Sequence, residues 1–328
     1  MTRIAVVGTG SWGTAVAGWA ARVTGNEVTL WGRDAAKVAS LAATRTHPEL
    51  GSVTVPAAVT VTADASALSA AQLILWGVPT QHSRAISRLL AAYLPVCPVV
   101  SLAKGLEQGS LKSVCTVLGE ELPGRALATL SGPSHAAEAA AGRPMGLVVA
   151  GPDEVTATVV KRLHAPAMRL YTTPDLAGVE LAGALKNVVA VGAGICEGLG
   201  LGDNAKAALI TRGLAEMRRL GRCLGARDAT FAGLAGIGDL LTTCYSKHGR
   251  NRALGLALAA GENPVDLLAR LRTVAEGAWT SRAAVALGQR HGVELPIASA
   301  VESVIWLATP VPQAIERLLA RAPKEEDA

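Results

Sequence analysis

The chain opens with Met1-Thr2-Arg3-Ile4-Ala5-Val6-Val7, runs straight into Gly8-Thr9-Gly10-Ser11-Trp12-Gly13, and continues as an alanine-rich segment. An apolar strand, a G-x-G-x-x-G turn and a helix in that order leave few folds open. Gly8 permits the tight strand-to-helix turn, Gly10 lets a pyrophosphate approach the backbone, and Gly13 lets helix and strand pack closely, with the helix N-terminus facing the phosphates. These three glycines are the first candidates for a dinucleotide site.

About twenty residues on, where such sites commonly present an acid to the ribose hydroxyls, the sequence reads Leu30-Trp31-Gly32-Arg33-Asp34. An arginine here can pair with a 2′-phosphate and stack on adenine, so NADP is expected to be accepted. Asp34 keeps NAD open, or caps the next helix.

With 328 residues the chain exceeds the size at which one core usually stops growing, so two domains are expected. Short β-branched runs alternate with helical patterns through the first half: residues 3–7, 27–31, 59–62, 73–76, 99–102, 126–130 and 147–150. This predicts a mostly parallel sheet covered on both faces. After Tyr171, Thr172-Thr173-Pro174 supplies an N-cap and a first-turn proline for a long apolar helix to about Leu199. From there apolar positions three and four apart predict helices only, over residues 204–224, 250–260, 264–271, 276–290, 297–307 and 312–320. The expected class is α/β: a Rossmann-type doubly wound N-terminal domain over residues 1–171, an all-α C-terminal domain over 172–321, and a charged tail over 322–328.

A formal charge of +5, scattered along the chain, gives no nucleic-acid surface and suits a small anion instead. Five cysteines without a CxxC pair argue against a disulfide framework or a metal site and point to reduced cytoplasm. No run reaches the roughly 18 uninterrupted apolar residues of a membrane span, so no stable membrane insertion is expected. The apolar richness of the second half points to a homodimer contact there.

Several polar clusters are poor packing choices and good chemistry. Lys104, in Ser101-Leu102-Ala103-Lys104-Gly105-Leu106-Glu107, falls just past a strand end, where open sheets collect ligands, and is a candidate contact to phosphate or cofactor. Ser131-Gly132-Pro133-Ser134-His135-Ala136-Ala137-Glu138 follows another strand; Ser134 either helps hold an anion or forms a capping box with Glu138. Lys186 and Asn187 interrupt the apolar stripe of the long helix. A lysine there is either a desolvated acid-base group or the partner of Glu180 or Asp239. The polar stretch 201–213 is expected to pack beside it. The glycine loop Gly233-Leu234-Ala235-Gly236-Ile237-Gly238 is expected to put amides beside Asp239, and Arg250 and Arg252 offer forks for a phosphate.

Taken together, Gly8-x-Gly10-Ser11-Trp12-Gly13-Thr14-Ala15, Lys104-Gly105-Leu106-Glu107, Gly132-Pro133-Ser134, Leu185-Lys186-Asn187, Gly202-Asp203-Asn204, Gly233-Leu234-Ala235-Gly236-x-Gly238-Asp239-Leu240, Arg250-Asn251-Arg252 and Val274-x-Glu276-Gly277 closely resemble the bacterial NAD(P)-dependent glycerol-3-phosphate dehydrogenases, nearly end to end. The resemblance implies cofactor contacts at Ser11, Trp12, Arg33, Lys104, Ala136, Arg250, Val274 and Glu276. It implies substrate contacts at Lys104, Gly132, Ser134, Lys186, Asp239, Arg250 and Asn251, with Lys186 as proton donor and acceptor. The implied reaction is NAD(P)H-dependent reduction of dihydroxyacetone phosphate, reversible, supplying glycerophospholipid synthesis. One departure stands out: the family serine before Arg-Asn is Gly249 here. Its amide, His248 or Lys247 would have to take over, with a weaker phosphate grip and an unchanged reaction. The competing readings are a reductase of another hydroxy or keto acid, and a nucleotide-binding sensor without catalysis, which would need no Lys186 and Asp239.

Overall fold

A computed structural model describes residues 1–247, 249–270, 275–323 and 325. The first half alternates as the strand signals predict: β1 Thr2–Val7, α1 Ser11–Arg22, β2 Asn26–Trp31, α2 Ala35–Thr44, β3 Val59–Thr62, β4 Leu73–Trp76, α3 Thr80–Leu90, β5 Val99–Ser101, α4 Val114–Glu121, β6 Leu127–Ser131, α5 Ala136–Ala140, β7 Met145–Ala150, α6 Asp153–Leu163 and β8 Met168–Thr173. The eight strands form one sheet in the order β3-β2-β1-β4-β5-β6-β7-β8. Every pairing is parallel except β6 with β7. The order reverses at β1, so β1 and β4 bound the crevice in which doubly wound sheets bind ligands.

Alternation along β1 explains why both faces need cover. Ile4 and Val6 join a core with Val16 and Trp19 of α1 and Val159 of α6, whereas Ala5 and Val7 face the other way, toward Ile86 and Leu90 of α3 and Leu118 of α4.

β8 was not among the expected strands. Only Met168 of its six residues is buried, because it is an edge strand, and that dilutes the apolar signal. It pairs with β7 through Thr173, so the Thr172-Thr173-Pro174 cap does not form; Asp175 caps the next helix instead, accepting from the Gly178 amide at 3.0 Å.

Among the described residues the second half contains helices only: α7 Leu176–Gly198, α8 Gly202–Cys223, α9 Asp228–Ala232, α10 Asp239–Tyr245, α11 Arg250–Ala259, α12 Pro264–Arg270, α13 Glu276–His291, α14 Pro296–Trp306 and α15 Val311–Leu319. Residues Leu234–Gly238, expected as a glycine loop, form a π-helical turn. A side chain at Gly236 would collide with the Phe231 backbone, so the glycine permits this tight winding. α7 is apolar enough and long enough to cross a membrane, yet it is buried along its length as the core helix around which the others pack.

α11 crosses α7 at backbone contact. A Cβ at Gly255 would stand 2.1 Å from the Val191 carbonyl oxygen, and one at Gly194 would stand 2.2 Å from that of Arg252. Neither neighbour is a side chain that can swing away. Gly255→Ala is therefore expected to lower stability by about 1–3 kcal/mol, the usual range for overpacking, as a fall in the urea midpoint; an unchanged midpoint would show that the two helices slide apart freely.

Candidate active site

The carboxyl edge of the sheet places the first components. β1 ends at Gly8, whose φ of +115° suits glycine, and a Cβ there would meet the Gly77 backbone at 2.8 Å. A Cβ at Gly13 would meet the Gly8 carbonyl oxygen at 2.3 Å, so α1 packs on the turn as closely as backbone allows. Gly10 is different: nothing lies within 4 Å of its Cβ position, and it caps α1 without any side chain covering the first amides. The space over Gly10 is where a pyrophosphate would sit against an uncovered helix N-terminus. Trp12 Nε1, in the first turn of α1, is buried without a hydrogen-bond partner, as is Glu276 Oε2. These open amides and orphaned polar atoms fit a dinucleotide.

At the end of β2, Arg33 is exposed and follows Gly32 directly. Asp34 is committed to capping: its Oδ1 accepts from the Lys37 amide at 3.1 Å, and Oδ2 pairs with the Lys37 ammonium at 3.4 Å. Ser11, Ala136, Arg250 and Glu276 are the first residues of α1, α5, α11 and α13. Val274 and His248 lie outside the described residues.

Asp239 is the hub of the polar cluster, 1% exposed at the start of α10. Lys104 Nζ reaches its Oδ2 at 2.8 Å and also donates to the Gly132 carbonyl at 3.0 Å and the Ser134 hydroxyl at 3.1 Å. Lys186 Nζ stands 2.5 Å from Oδ1 and donates to the Thr243 hydroxyl at 2.8 Å. Thr243 in turn donates to the Asp239 carbonyl one helical turn earlier, at 2.7 Å. Burial opposes ionisation of Asp239, but the two ammonium groups outweigh it and hold its carboxyl below the usual range. Lys186, 5% exposed, loses solvation more than Asp239 restores, and Lys104 repels it further, so its ammonium is pushed down to about 7.

Of the two partners open to Lys186, the structure selects Asp239. Glu180 points elsewhere, accepting from the Ser113 hydroxyl at 2.6 Å and the Cys115 amide at 2.9 Å. The Ser134–Glu138 capping box does not form either, since His135 caps α5 and Ser134 donates to the Gly132 carbonyl at 2.8 Å. α8 does pack along α7, Gly213 closing on the Val189 side chain.

Asn187, beside Lys186, ties the halves together. Its Nδ2 donates to the Lys104 carbonyl at 2.9 Å and its Oδ1 accepts from Asn251 Nδ2 at 2.9 Å, while Asn251 Oδ1 accepts from the Gly277 amide at 2.9 Å. Glu276 then accepts from the Thr80 amide at the start of α3, at 3.1 Å. Burial lifts the Glu276 carboxyl above its usual range, against the pull of that amide and of Arg250. The Gly249 amide is not free to replace a serine hydroxyl: it donates to the Ser246 carbonyl at 3.1 Å, and α11 starts without a side-chain cap. Thr243 and Thr80 escaped the sequence reading. Thr243 was accessible in principle, lying four residues after Asp239 on the same helical face.

A dinucleotide crevice beside a buried Lys–Asp–Lys bridge can now be set against known proteins. Residues 3–157 match the family model of the NAD-dependent glycerol-3-phosphate dehydrogenase N-terminus, and residues 175–316 that of its C-terminus. The chain belongs to this family. It is 45% identical to the glycerol-3-phosphate dehydrogenase [NAD(P)+] of Aromatoleum aromaticum, over 99% of this chain and 100% of that protein. With that of Desulfitobacterium hafniense it shares 42%, over 99% and 93%. The crystal structure of glycerol-3-phosphate dehydrogenase from Coxiella burnetii superposes with a TM-score of 0.93 at 34% identity, covering 98% and 99% of the two chains. A ketopantoate reductase from Ralstonia eutropha, at 18% identity and a TM-score of 0.63, shares the fold alone.

For a family member, the uncovered α1 N-terminus makes a separable test. Gly10→Ala meets no neighbour, so the urea midpoint is expected to stay within experimental error, while Kd for NADPH rises about tenfold or more as the methyl blocks pyrophosphate approach. Unchanged NADPH binding by fluorescence titration would place the pyrophosphate elsewhere.

Proposed function

We propose that the chain catalyses reversible reduction of dihydroxyacetone phosphate to sn-glycerol 3-phosphate with NADPH or NADH. The observation that carries this reading is the Asp239 carboxylate bridging Lys104 and Lys186 in a buried site. Two ammonium groups against one carboxylate leave net positive charge away from water, where it attracts an anionic substrate strongly. A neutral hydroxy compound has no use for it. The names of the relatives point to the same substrate.

In this reading the dinucleotide-binding part spans about residues 1–171 and the substrate part 172–321. Gly8, Gly10, Ser11, Trp12 and Gly13 with Ala136 would hold the pyrophosphate side of the dinucleotide, and Glu276 and Arg250 its nicotinamide end. Lys104, Gly132, Ser134, Arg250 and Asn251 hold the phosphate-bearing substrate, with Gly249 contributing only the open start of α11. The bound nicotinamide supplies the hydride. As C2 of the ketone accepts it, the carbonyl electron pair moves onto oxygen, and Lys186 delivers its proton there. The resulting amine is reprotonated from solvent beside Asp239, which keeps the ammonium form accessible. In reverse, Lys186 takes the hydroxyl proton. Thr243 fixes the direction of its Nζ. Five free thiols and the implied role in supplying glycerophospholipid synthesis both fit a cytoplasmic enzyme.

The acid-base role fixes signs. Reduction needs protonated Lys186, so kcat/KM for dihydroxyacetone phosphate is expected to fall as pH rises through about 7. Oxidation of glycerol 3-phosphate needs the free amine and is expected to rise through the same pH. Lys186→Met should lower kcat about 10²–10⁴-fold in both directions; profiles that do not mirror each other would remove Lys186 from the proton transfer.

Cofactor choice rests on Arg33, since Asp34 is spent on α2. Arg33→Ala is expected to lower kcat/KM for NADPH about tenfold, the loss of one charge-assisted contact, and to leave NADH nearly unchanged. Equal losses for both would mean that Arg33 stacks on adenine without reading the 2′-phosphate. In the same assay, turnover of unphosphorylated dihydroxyacetone at the full rate would overturn the phosphate reading itself.

A further inference from the structure

Arg84 lies on α3 one turn after Thr80 and faces three carboxylates. Its Nε donates to Glu107 Oε1 at 2.9 Å and its Nη2 to Oε2 at 2.7 Å, a two-pronged pair, while Nη1 reaches Glu120 at 2.9 Å and Glu121 at 2.5 Å at the end of α4. The Arg84 and Glu107 side chains are only 23% and 12% exposed, so salt screens them less than a surface pair.

Glu107 is the pivot of the loop that follows Lys104. Its amide donates to the Lys112 carbonyl and its carbonyl accepts from the Leu111 amide, both at 2.9 Å, and its Oε2 also accepts from the Ser110 hydroxyl. The loop carries Leu111 at a φ of +61°, a conformation that side chains other than glycine seldom adopt, so outside partners must hold its shape. α3 supplies them. Gln81 Nε2 donates to the Leu106 carbonyl at 2.8 Å, and its Oε1 accepts from the Gln108 amide at 3.0 Å, so α3 grips the backbone on both sides of Glu107. Between Lys104 and Glu107 there is no slack. Gly105 is pressed against Thr80 and Glu276, its Cβ position 2.6 Å from the Thr80 hydroxyl and 2.7 Å from Glu276 Oε2. Only Gly105 and Leu106 separate Glu107 from Lys104, and both are held against α3, by Thr80 and by Gln81.

We propose that Arg84 is a positioning residue for substrate binding: by gripping Glu107 it fixes the loop that sets where Lys104 Nζ stands between Gly132, Ser134 and Asp239. The inference rests on the reading of Lys104 as a substrate contact. The planar guanidinium matters, because an ammonium cannot hold both oxygens of Glu107 and still reach α4.

The test is steady-state kinetics with dihydroxyacetone phosphate and NADPH on the full chain, with a urea midpoint for each variant. Arg84→Ala and Glu107→Gln are each expected to raise KM for dihydroxyacetone phosphate about tenfold, with kcat changed less than about threefold, since misplacing a binding group weakens binding before chemistry. The double variant should be no worse than the worse single one, the signature of a shared interaction. Arg84→Lys should recover part of the KM. Glu121→Gln weakens only the α4 side of the network, where Glu120 remains, and is expected to lower the urea midpoint while leaving KM unchanged. The proposal is overturned if KM in Arg84→Ala stays within about twofold of the parent, if kcat falls while KM holds, or if the two single effects multiply. Should Arg84→Ala fail to fold, an unchanged KM in both Arg84→Lys and Glu107→Gln overturns it equally. Lys104→Ala separates the failures: if it leaves KM unchanged, the substrate reading of Lys104 falls and takes the proposal with it. If Lys104→Ala raises KM and the Arg84 and Glu107 variants do not, the proposal falls alone.

Discussion

Asp239 holds one negative charge between two ammonium groups in a largely buried site, and three separate parts of the chain are located by it. Lys104 comes from the loop after β5, Lys186 from the middle of α7, and Asp239 from the start of α10. A charge pair this deep is costly to desolvate unless its remaining hydrogen-bonding capacity is filled. Here the Gly132 carbonyl, Ser134 and Thr243 fill it. The arrangement also biases the chemistry. With one carboxylate for two lysines, Lys186 is solvated too poorly to keep an ordinary lysine's proton affinity.

The same device, a buried carboxylate compensated by something positive, recurs around the site in another form. Glu180 accepts from the second residue of α4, Glu216 from the first two residues after the start of α14, and Glu276 from the first residue of α3. In each case the positive end of one helix offsets the burial of an acid carried by another. Burial still dominates, raising all three carboxyls, Glu216 to about 7. The Glu180 and Glu276 links register the helical half against the sheet half by polar contacts as well as by apolar packing, while Glu216 joins α8 to α14 within the helical half. Asn187 and Asn251 extend the same registration from Lys104 to α13.

How far the sequence could be read follows from which signals are local. Central parallel strands are continuous apolar runs, so β1 to β7 were legible to within a residue or two. β8 was not, because an edge strand carrying Arg169 and an exposed Tyr171 has no such run. Candidate residues Lys104, Lys186 and Asp239 were legible as polar interruptions beside strand ends and glycines, and their meeting around one carboxylate needed the fold. One ambiguity was soluble by geometry alone. Glu180 and Lys186 are six residues apart on one helix, about 240° around its axis, so they could not have paired. The glycines from 233 to 238 were misread as a loop because a π-helical turn has no composition of its own; it depends on Phe231 lying where Gly236 must pass.

Gly249 begins α11 without a side-chain cap. Glycine is a tolerable N-cap, so α11 still begins at Arg250 and keeps Asn251 in register with Asn187. A Cβ at this position would stand 3.1 Å from the Thr243 carbonyl oxygen and 3.3 Å from that of Ser246, tighter than most side chains meet. The turn from α10 to α11 is thus closed more tightly than a serine would allow without a small shift. Thr243 accepts a hydrogen bond from Lys186, so the tight turn bears on the position of that lysine as well as on the start of α11. Through this close turn the helix that carries Asp239 is joined to the one that carries Arg250 and Asn251, with the central Lys–Asp–Lys bridge intact.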